Sequence, residues 1–353
     1  MKKFYFVFII LAGLVLVGPG CIGFGGGSGA SGNDGGVFKS VDKAENWQQK
    51  GAVAATKPGS LAGVDVTTIV FDPKDSKTIY LGTAANGLFY STDAAESWFQ
   101  VSSLAVGRVS AITVDTKDKC NVYASSGNKI FKTSDCTRTW QNVYVDTRAD
   151  QTVTAMEVDS YNPTILYAGL SGGDMLKSTD SGVSWSVIKR FENQVAKILV
   201  NYYDTRILYV GTAKKGVWKT TDGGANWTDL SEKLEQFSKA LDFKNLVLDF
   251  SKRDTLILAS RYGLLRTTDG GASWQAINLL TPTGSVDIYS LALNPKDGSE
   301  IYYGTTSTLY KTTDGGEKWV TKKLPTTRGA TYLLVDPNDG NLIYLGTTKI
   351  NKK

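Results

Sequence analysis

One eight-residue pattern occurs seven times in the chain, and this repetition constrains the fold more than any other feature. The copies are Ser40-Val-Asp-Lys-Ala-Glu-Asn-Trp47, Ser91-Thr-Asp-Ala-Ala-Glu-Ser-Trp98, Thr133-Ser-Asp-Cys-Thr-Arg-Thr-Trp140, Ser178-Thr-Asp-Ser-Gly-Val-Ser-Trp185, Thr220-Thr-Asp-Gly-Gly-Ala-Asn-Trp227, Thr267-Thr-Asp-Gly-Gly-Ala-Ser-Trp274 and Thr312-Thr-Asp-Gly-Gly-Glu-Lys-Trp319. Successive Trp residues lie 42 to 51 positions apart, the period of a propeller blade. Each pattern follows a β-rich half. Residues 67–71 are a first short strand, Asp72-Pro73-Lys74-Asp75 a turn, 78–82 a second strand and 87–91 a third. The repeated pattern makes the next turn, and 98–101 open a fourth strand. Four short antiparallel strands per ~45 residues predict one blade.

The ends of the chain complete the count. Residues 331–337 and 342–346 form a first half with no pattern after it, and 37–40 with Trp47 form a second half with nothing before it. The expected fold is therefore all-β. It is a seven-bladed propeller over 37–350, with the N- and C-terminal strands sharing one blade so that no sheet edge is left open at the seam.

The repeated pattern resembles the Asp box, or bacterial neuraminidase repeat, Ser/Thr-x-Asp-x-Gly-x-x-Trp. Physical chemistry assigns it to folding. Asp42, Asp93, Asp135, Asp180, Asp222, Asp269 and Asp314 accept backbone N–H bonds of their own turns. The Gly two places on supplies positive φ, although Ala44, Ala95 and Thr137 replace it in the first three copies. Trp47, Trp98, Trp140, Trp185, Trp227, Trp274 and Trp319 cover the turns. Asp72, Asp115, Asp159, Asp249 and Asp336, with Asn201 and Asn294, recur once per repeat and read as turn formers. Tyr80, Tyr123, Tyr167, Tyr209 and Tyr344 recur as core between blades.

Met1-Lys2-Lys3 and the uncharged run 4–17 form a signal-like segment too short for a typical ~20-residue membrane helix. Cys21 after Gly18-Pro19-Gly20 resembles a bacterial lipobox. The resemblance implies a signal peptide over 1–20, lipidation of Cys21, and a Gly/Ser-rich tether over 21–36. Ordinary signal cleavage with a spare cysteine, or a retained helical anchor, are the alternatives. All three place the folded part outside the cytoplasm, lipid-anchored in the first case to a bacterial membrane on the periplasmic or cell-surface side. Cys120 and Cys136 stand roughly opposite in a hairpin that turns near Gly127-Asn128. A disulfide is expected there, two buried thiols being the alternative.

The chain has no His, which excludes Ser-His-Asp and Cys-His triads and His-ligated metal centres. No cofactor and no metal are expected. Apart from Lys2 and Lys3, 37 basic residues face 34 acidic ones, a balance that gives no reason to expect nucleic acid as a partner. A monomer is expected.

Function is expected on the face opposite the Asp boxes, where the family's geometry puts the ligand site and where this sequence stops repeating. Lys214, Lys215, Arg261 and Tyr262, in turns of adjacent blades, are candidates for a basic, partly aromatic binding patch. Solvated loop residues are the bland reading. Residues 231–241 carry apolar residues at 234, 237 and 241, a short amphipathic-helix pattern that caps a blade or meets a partner. Asp65, Glu157, Asp242 and Asp287 are carboxylates that do not repeat. The chain is most similar to the single seven-bladed propellers of the photosystem II stability/assembly factor type, with sialidase-, sortilin- and xyloglucanase-type propellers as wider relatives. The first resemblance implies an adaptor that holds a membrane-protein partner and is not an enzyme; together with the N-terminal segment, the expectation is a membrane-tethered, non-enzymatic scaffold binding a protein or a glycan at the cell envelope. The alternative is a carboxylate-dependent glycoside hydrolase of sialidase-like or xyloglucanase-like type.

Overall fold

The computed structural model describes residues 33–54 and 59–350, together with Met1. The signal segment, Cys21 and nearly all of the tether lie outside the described residues. The described chain forms seven four-stranded antiparallel sheets arranged as a propeller. Six blades are continuous in sequence: 66–100, 112–145, 153–190, 195–229, 243–277 and 290–323. The seventh is built from both ends, in the order Gln48–Gln49, Val37–Ser40, Ile343–Thr348, Gly329–Val335. Val37–Ser40 pairs with Ile343–Thr348 from Val37 opposite Gly346 to Ser40 opposite Ile343. The first strand of each blade contacts the first strand of the next around the whole ring.

These strands are innermost, and their sequences explain it. Each has a buried apolar anchor at or just before its start: Val66, Val109, Val153, Val195, Phe243, Ile288 and Ala330. A register shift follows the anchor in five blades, at Val66/Thr68, Val153/Ala155, Val195/Lys197, Phe243/Asn245 and Ala330/Tyr332. Such bulges bend the strand and re-aim one side chain. Three hydroxyls freed in this way bind the neighbouring blade, Thr331 Oγ1 donating to the Val66 carbonyl at 3.4 Å. Thr154 Oγ1 donates to the Val195 carbonyl at 2.6 Å, and Thr67 Oγ1 donates to that of Val109.

Apolar clusters fill the spaces between blades. Tyr344 of blade 7, for example, packs with Phe71, Ile79 and Trp98 of blade 1. Tyr80, Tyr123, Tyr167, Tyr209 and Tyr344 are all buried. The segment 231–241 departs from the helical pattern. It is a 3-10 turn, Ser231–Lys233, continued by further i+3 bonds from Phe237 N–H to Leu234 and from Ala240 N–H to Phe237. Lys239 at φ 66° breaks any longer helix. Leu234 and Ala240 are buried against blade 5 and its neighbour, so the segment caps the blade. Cys120 and Cys136 are joined by a disulfide.

Candidate functional site

Antiparallel order sorts the turns onto two faces. Second-to-third-strand turns and blade-to-blade connections share one face. Asp-box turns and first-to-second-strand turns share the other. A central channel of about 800 Å³ runs between them, lined by the inner strands of all seven blades.

On the connection face, the residue just before each buried anchor is Asp65, Arg108, Thr152, Gln194, Asp242, Asp287 or Gly329, of which Arg108, Thr152 and Gln194 line the channel at its mouth. Three of the four carboxylates that do not repeat therefore occupy equivalent places. Each is bound by a cation from its surroundings. Asp65 accepts from Arg328, a buried guanidinium, at 2.8 Å. Asp242 accepts from Lys214 at 3.1 Å. Asp287 pairs with Arg261 and, at 3.4 Å, with Lys244. The hydrogen bond from Arg261 holds the Asp287 carboxyl below the usual range, against the opposing effect of partial burial.

The four residues expected to form a basic patch do gather here, but three of them are already engaged. Lys214 and Arg261 belong to an alternating row of charges, Lys214–Asp242 beside Arg261–Asp287–Lys244, and Arg261 N–H donates to the Asp242 carbonyl at 2.9 Å. Tyr262 packs edge-on against Phe237 of the capping segment, with ring centroids 5.2 Å apart. Lys215 alone of the four projects an exposed ammonium with no partner among the described residues; its carbonyl accepts from Ser231.

Deeper in, the equivalent position four residues after each anchor forms a belt of Val70, Thr113, Glu157, Leu199, Val247, Ala292 and Leu334. Glu157 is the single carboxylate lining the channel, against the three cations Arg108, Lys197 and Lys244. It makes no hydrogen bond or ion pair among the described residues. Burial raises its carboxyl to about 7, partly opposed by the charge of Lys197. Arg108, Lys197 and Lys244 were not anticipated from the sequence. For Lys197 and Lys244 the signal was a charge at an inner-strand position where the other repeats carry uncharged residues.

The Asp boxes occupy the far face and are turn locks. In the fifth, Thr220 Oγ1 donates to Asp222 at 2.7 Å while accepting from Gly224 N–H at 3.1 Å. Asp222 also receives the Asn226 backbone N–H at 2.9 Å and its side-chain amide at 2.8 Å. Asp42, Asp93, Asp135, Asp180, Asp269 and Asp314 each receive the N–H four residues on in the same way. Trp98 and Trp274 are buried beneath their turns. Trp47, Trp140, Trp185, Trp227 and Trp319 are half-buried.

Residues 200–347 match the model of the family described as photosynthesis system II assembly factor YCF48. A xyloglucanase of Hypocrea jecorina (strain QM6a) is 28% identical over 150 residues, 36% of this chain and 18% of that protein. Among solved structures, the GH74 xyloglucanase from Xanthomonas campestris superposes with a TM-score of 0.67 at 16% identity, covering 81% of this chain and 51% of that one. YCF48 bound to D1 peptide superposes with a TM-score of 0.61 at 14% identity, covering 82% of this chain and 94% of that one. The chain thus spans about half of the solved xyloglucanase and less than a fifth of the curated one. At these identities the structural matches establish the propeller fold.

Proposed function

We propose that this protein is a non-enzymatic binding scaffold, lipid-anchored through Cys21 outside the cytoplasm, which docks a partner protein or glycan on its connection face at the channel mouth. The observation that carries this reading is the state of the carboxylates. Glycoside hydrolysis needs two of them ~5–9.5 Å apart, one raised to act as acid. Here Asp65, Asp242 and Asp287 are each bound to a cation, and Glu157, whose carboxyl is raised by burial, is the one carboxylate among the described residues lining the channel. Clamped charges of this kind make a fixed rim suited to electrostatic docking. The structural likeness to YCF48, which was solved bound to D1 peptide, supports a protein as the partner. Of the described residues, 33–36 lead into Val37–Ser40 from the connection face.

The test places a photo-crosslinking residue at Gln194 on the mouth and, as control, at Val183 on the Asp-box face. Adducts with a discrete envelope protein or glycan from the mouth position alone are expected. Hydrolysis of xyloglucan oligosaccharides by the purified protein, abolished by Glu157→Gln, would overturn the scaffold and establish the glycosidase.

A further inference from the structure

The central channel is graded along its axis. Towards the connection face its wall carries Arg108, Lys197, Lys244 and the ring of Tyr289. At the level of Glu157 the wall is otherwise mainly apolar, with Val70, Leu199, Val247 and Leu334 reaching the lumen. These four are half-buried, whereas the residues before them, Ile69, Ile198, Leu246 and Leu333, are buried between blades. The inner strands thus leave a strip of apolar surface uncovered inside the ring, and folding does not use it.

The cations above the strip are open as well. Lys244 is answered by Asp287 at the rim, at 3.4 Å. The Arg108 guanidinium donates to Ser110 Oγ at 3.1 Å and has no carboxylate partner among the described residues. Lys197 makes no hydrogen bond or ion pair among them, not even with Glu157. Arg108 and Lys197 against Glu157 leave one positive charge over when Glu157 is ionised, and two when it is protonated.

We propose that the channel binds a singly charged carboxylate with an unbranched apolar tail, a medium-chain fatty acid, its head group held by Lys197 and Arg108 and its tail lying on Val70, Leu199, Val247 and Leu334. Size admits such a ligand. The lumen of about 800 Å³ falls within the ~300–1,000 Å³ of small-molecule sites, which are mostly apolar with a few convergent polar groups. Charge selects the head group. A monoanion neutralises the lumen, whereas a phosphate dianion would leave it net negative. The strip selects the tail. A sugar would lay its hydroxyls on apolar side chains that offer them no hydrogen bonds. Binding inside the channel is separate from docking at the rim and goes beyond it.

Glu157 gives the site a dependence on pH. It is faced by Lys197 from blade 4, Arg108 from blade 2, Lys244 from blade 5 and the rings of Tyr289 and Tyr332 from blades 6 and 7, while Tyr167 stands opposite it in its own blade. Blade 1 brings no titratable side chain to the channel wall. Burial raises the Glu157 carboxyl to about 7 against the charge of Lys197. The lumen therefore gains positive charge as pH falls through that value, and the anion should bind more tightly.

The purified protein is titrated calorimetrically with octanoate. Comparison probes are butyrate and hexanoate as shorter chains, octanamide as the uncharged analogue, and cello-oligosaccharides. Saturable binding of octanoate at one site is expected. Affinity should rise about two- to fourfold for each CH₂ added along the series, and octanamide should bind ~10-fold or more weakly. Lys197→Met should weaken octanoate by a similar factor, and Arg108→Ala should weaken it too. Arg108 is exposed, so that variant decides the matter if the Met variant melts early. The parent should bind more tightly at pH 6 than at pH 8, and Glu157→Gln should bind equally at both. Lys318→Ala, on the Asp-box face, should match the parent. Absence of saturable binding, affinity independent of chain length, equal affinity for octanamide, or unchanged affinity in both cation variants overturns the proposal. So does displacement of octanoate by cello-oligosaccharides, which would make the channel a glycan site. No partner is present in this titration, so its failure leaves docking at the rim standing.

Discussion

At the scale of the residue, the Asp boxes show how one turn is built from different side chains. Each box contains two successive residues with left-handed φ. The pairs are Lys43/Ala44, Ala94/Ala95, Cys136/Thr137, Ser181/Gly182, Gly223/Gly224, Gly270/Gly271 and Gly315/Gly316. Thr137 is the costliest occupant, β-branched at φ 74°. Thr137→Gly should therefore stabilise the protein by ~1 kcal/mol, seen as a higher melting temperature. The reverse change fails for two reasons at Gly316. A Cβ there would lie 2.3 Å from Ile277 and would sit at φ 100°. Gly316→Ala should cost ~2 kcal/mol or more. An unchanged melting temperature in both variants would remove the turn from the account of stability.

The box carboxyls also set the acid limit. Those of Asp42, Asp135, Asp180, Asp222 and Asp269 are held at about 2, mainly by backbone and side-chain hydrogen bonds from the residue four positions on. The unfolded value is ~3.9. Folding thus depresses these groups, and their contribution is complete above pH ~4 and lost as pH falls through 2. Glu157 has the opposite sign. Its folded value of about 7 exceeds the unfolded ~4.3, so stability falls as pH rises between them. Glu157→Gln should raise the melting temperature at pH 8 relative to the parent and change it little at pH 4. Parallel curves across that range would show that the carboxyl is not desolvated.

At the scale of the element, one contact recurs around the ring. A cation on the third strand donates to the carbonyl of the first left-handed box residue in the next blade. Lys132 reaches Ser181, Lys177 reaches Gly223, Lys219 reaches Gly270, Arg266 reaches Gly315, Lys311 reaches Lys43 and Lys39 reaches Ala94. Tyr123, Tyr209 and Tyr344 donate to the same carbonyls as their neighbouring lysines. The seventh seam, between blades 1 and 2, has Tyr90 in the cation's place, and the matching box residue is Cys136, the one held by a disulfide to Cys120. The covalent link thus fixes the one box turn that receives no cation from its neighbour. Reducing it should lower stability by ~3 kcal/mol for a loop of about 15 residues. Lys177→Met should cost ~1–2 kcal/mol as a lost charged hydrogen bond, and the two effects should add because the sites lie in separate blades. A reduced protein that melts with the oxidised one would show that this turn needs no such link.

These elements also show what was readable in the sequence. Blade number, strand order, the shared blade and the turn role of the boxes repeat, and repetition made them legible. The latch was not legible, because Lys132 or Lys177 alone on a strand reads as a solvated residue until the neighbouring carbonyl is in place. The pattern over 231–241 suited a helix and folded as successive 3-10 turns, since apolar residues at 234, 237 and 241 do not distinguish the two. The mouth was half legible. Asp65, Asp242 and Asp287 stood out because they do not repeat, but that each is held by a cation depends on contacts between blades.

At the scale of the whole molecule, the ring is only as strong as its closure. Blade 7 takes its two inner strands from the C-terminus and its two outer strands from the N-terminus. The adjoining seam is sealed by Arg328, which donates to Asp65 at 2.8 Å and to the Gly63 carbonyl at 3.2 Å. Beside it, Asp34 accepts from Thr327 N–H at 2.8 Å. Removing residues 331–353 takes away both inner strands of this blade. It uncovers the buried side chains of Val37 and Phe38 and leaves the inner strands of blades 6 and 1 facing a gap. Two sheet edges and two apolar faces then open together, so the loss is global. The truncated chain should show a lower, broadened melting transition with earlier exchange of amides in blades 1 and 6, while blades 3 and 4 open last. A parent-like melting temperature would mean that each blade stands alone. Arg328→Ala tests the same closure with the chain length intact. It takes the cation from Asp65, which keeps only the Lys349 N–H at 2.9 Å among the described residues, so it should lower stability and loosen the docking rim, coupling the seam of the ring to its proposed binding face.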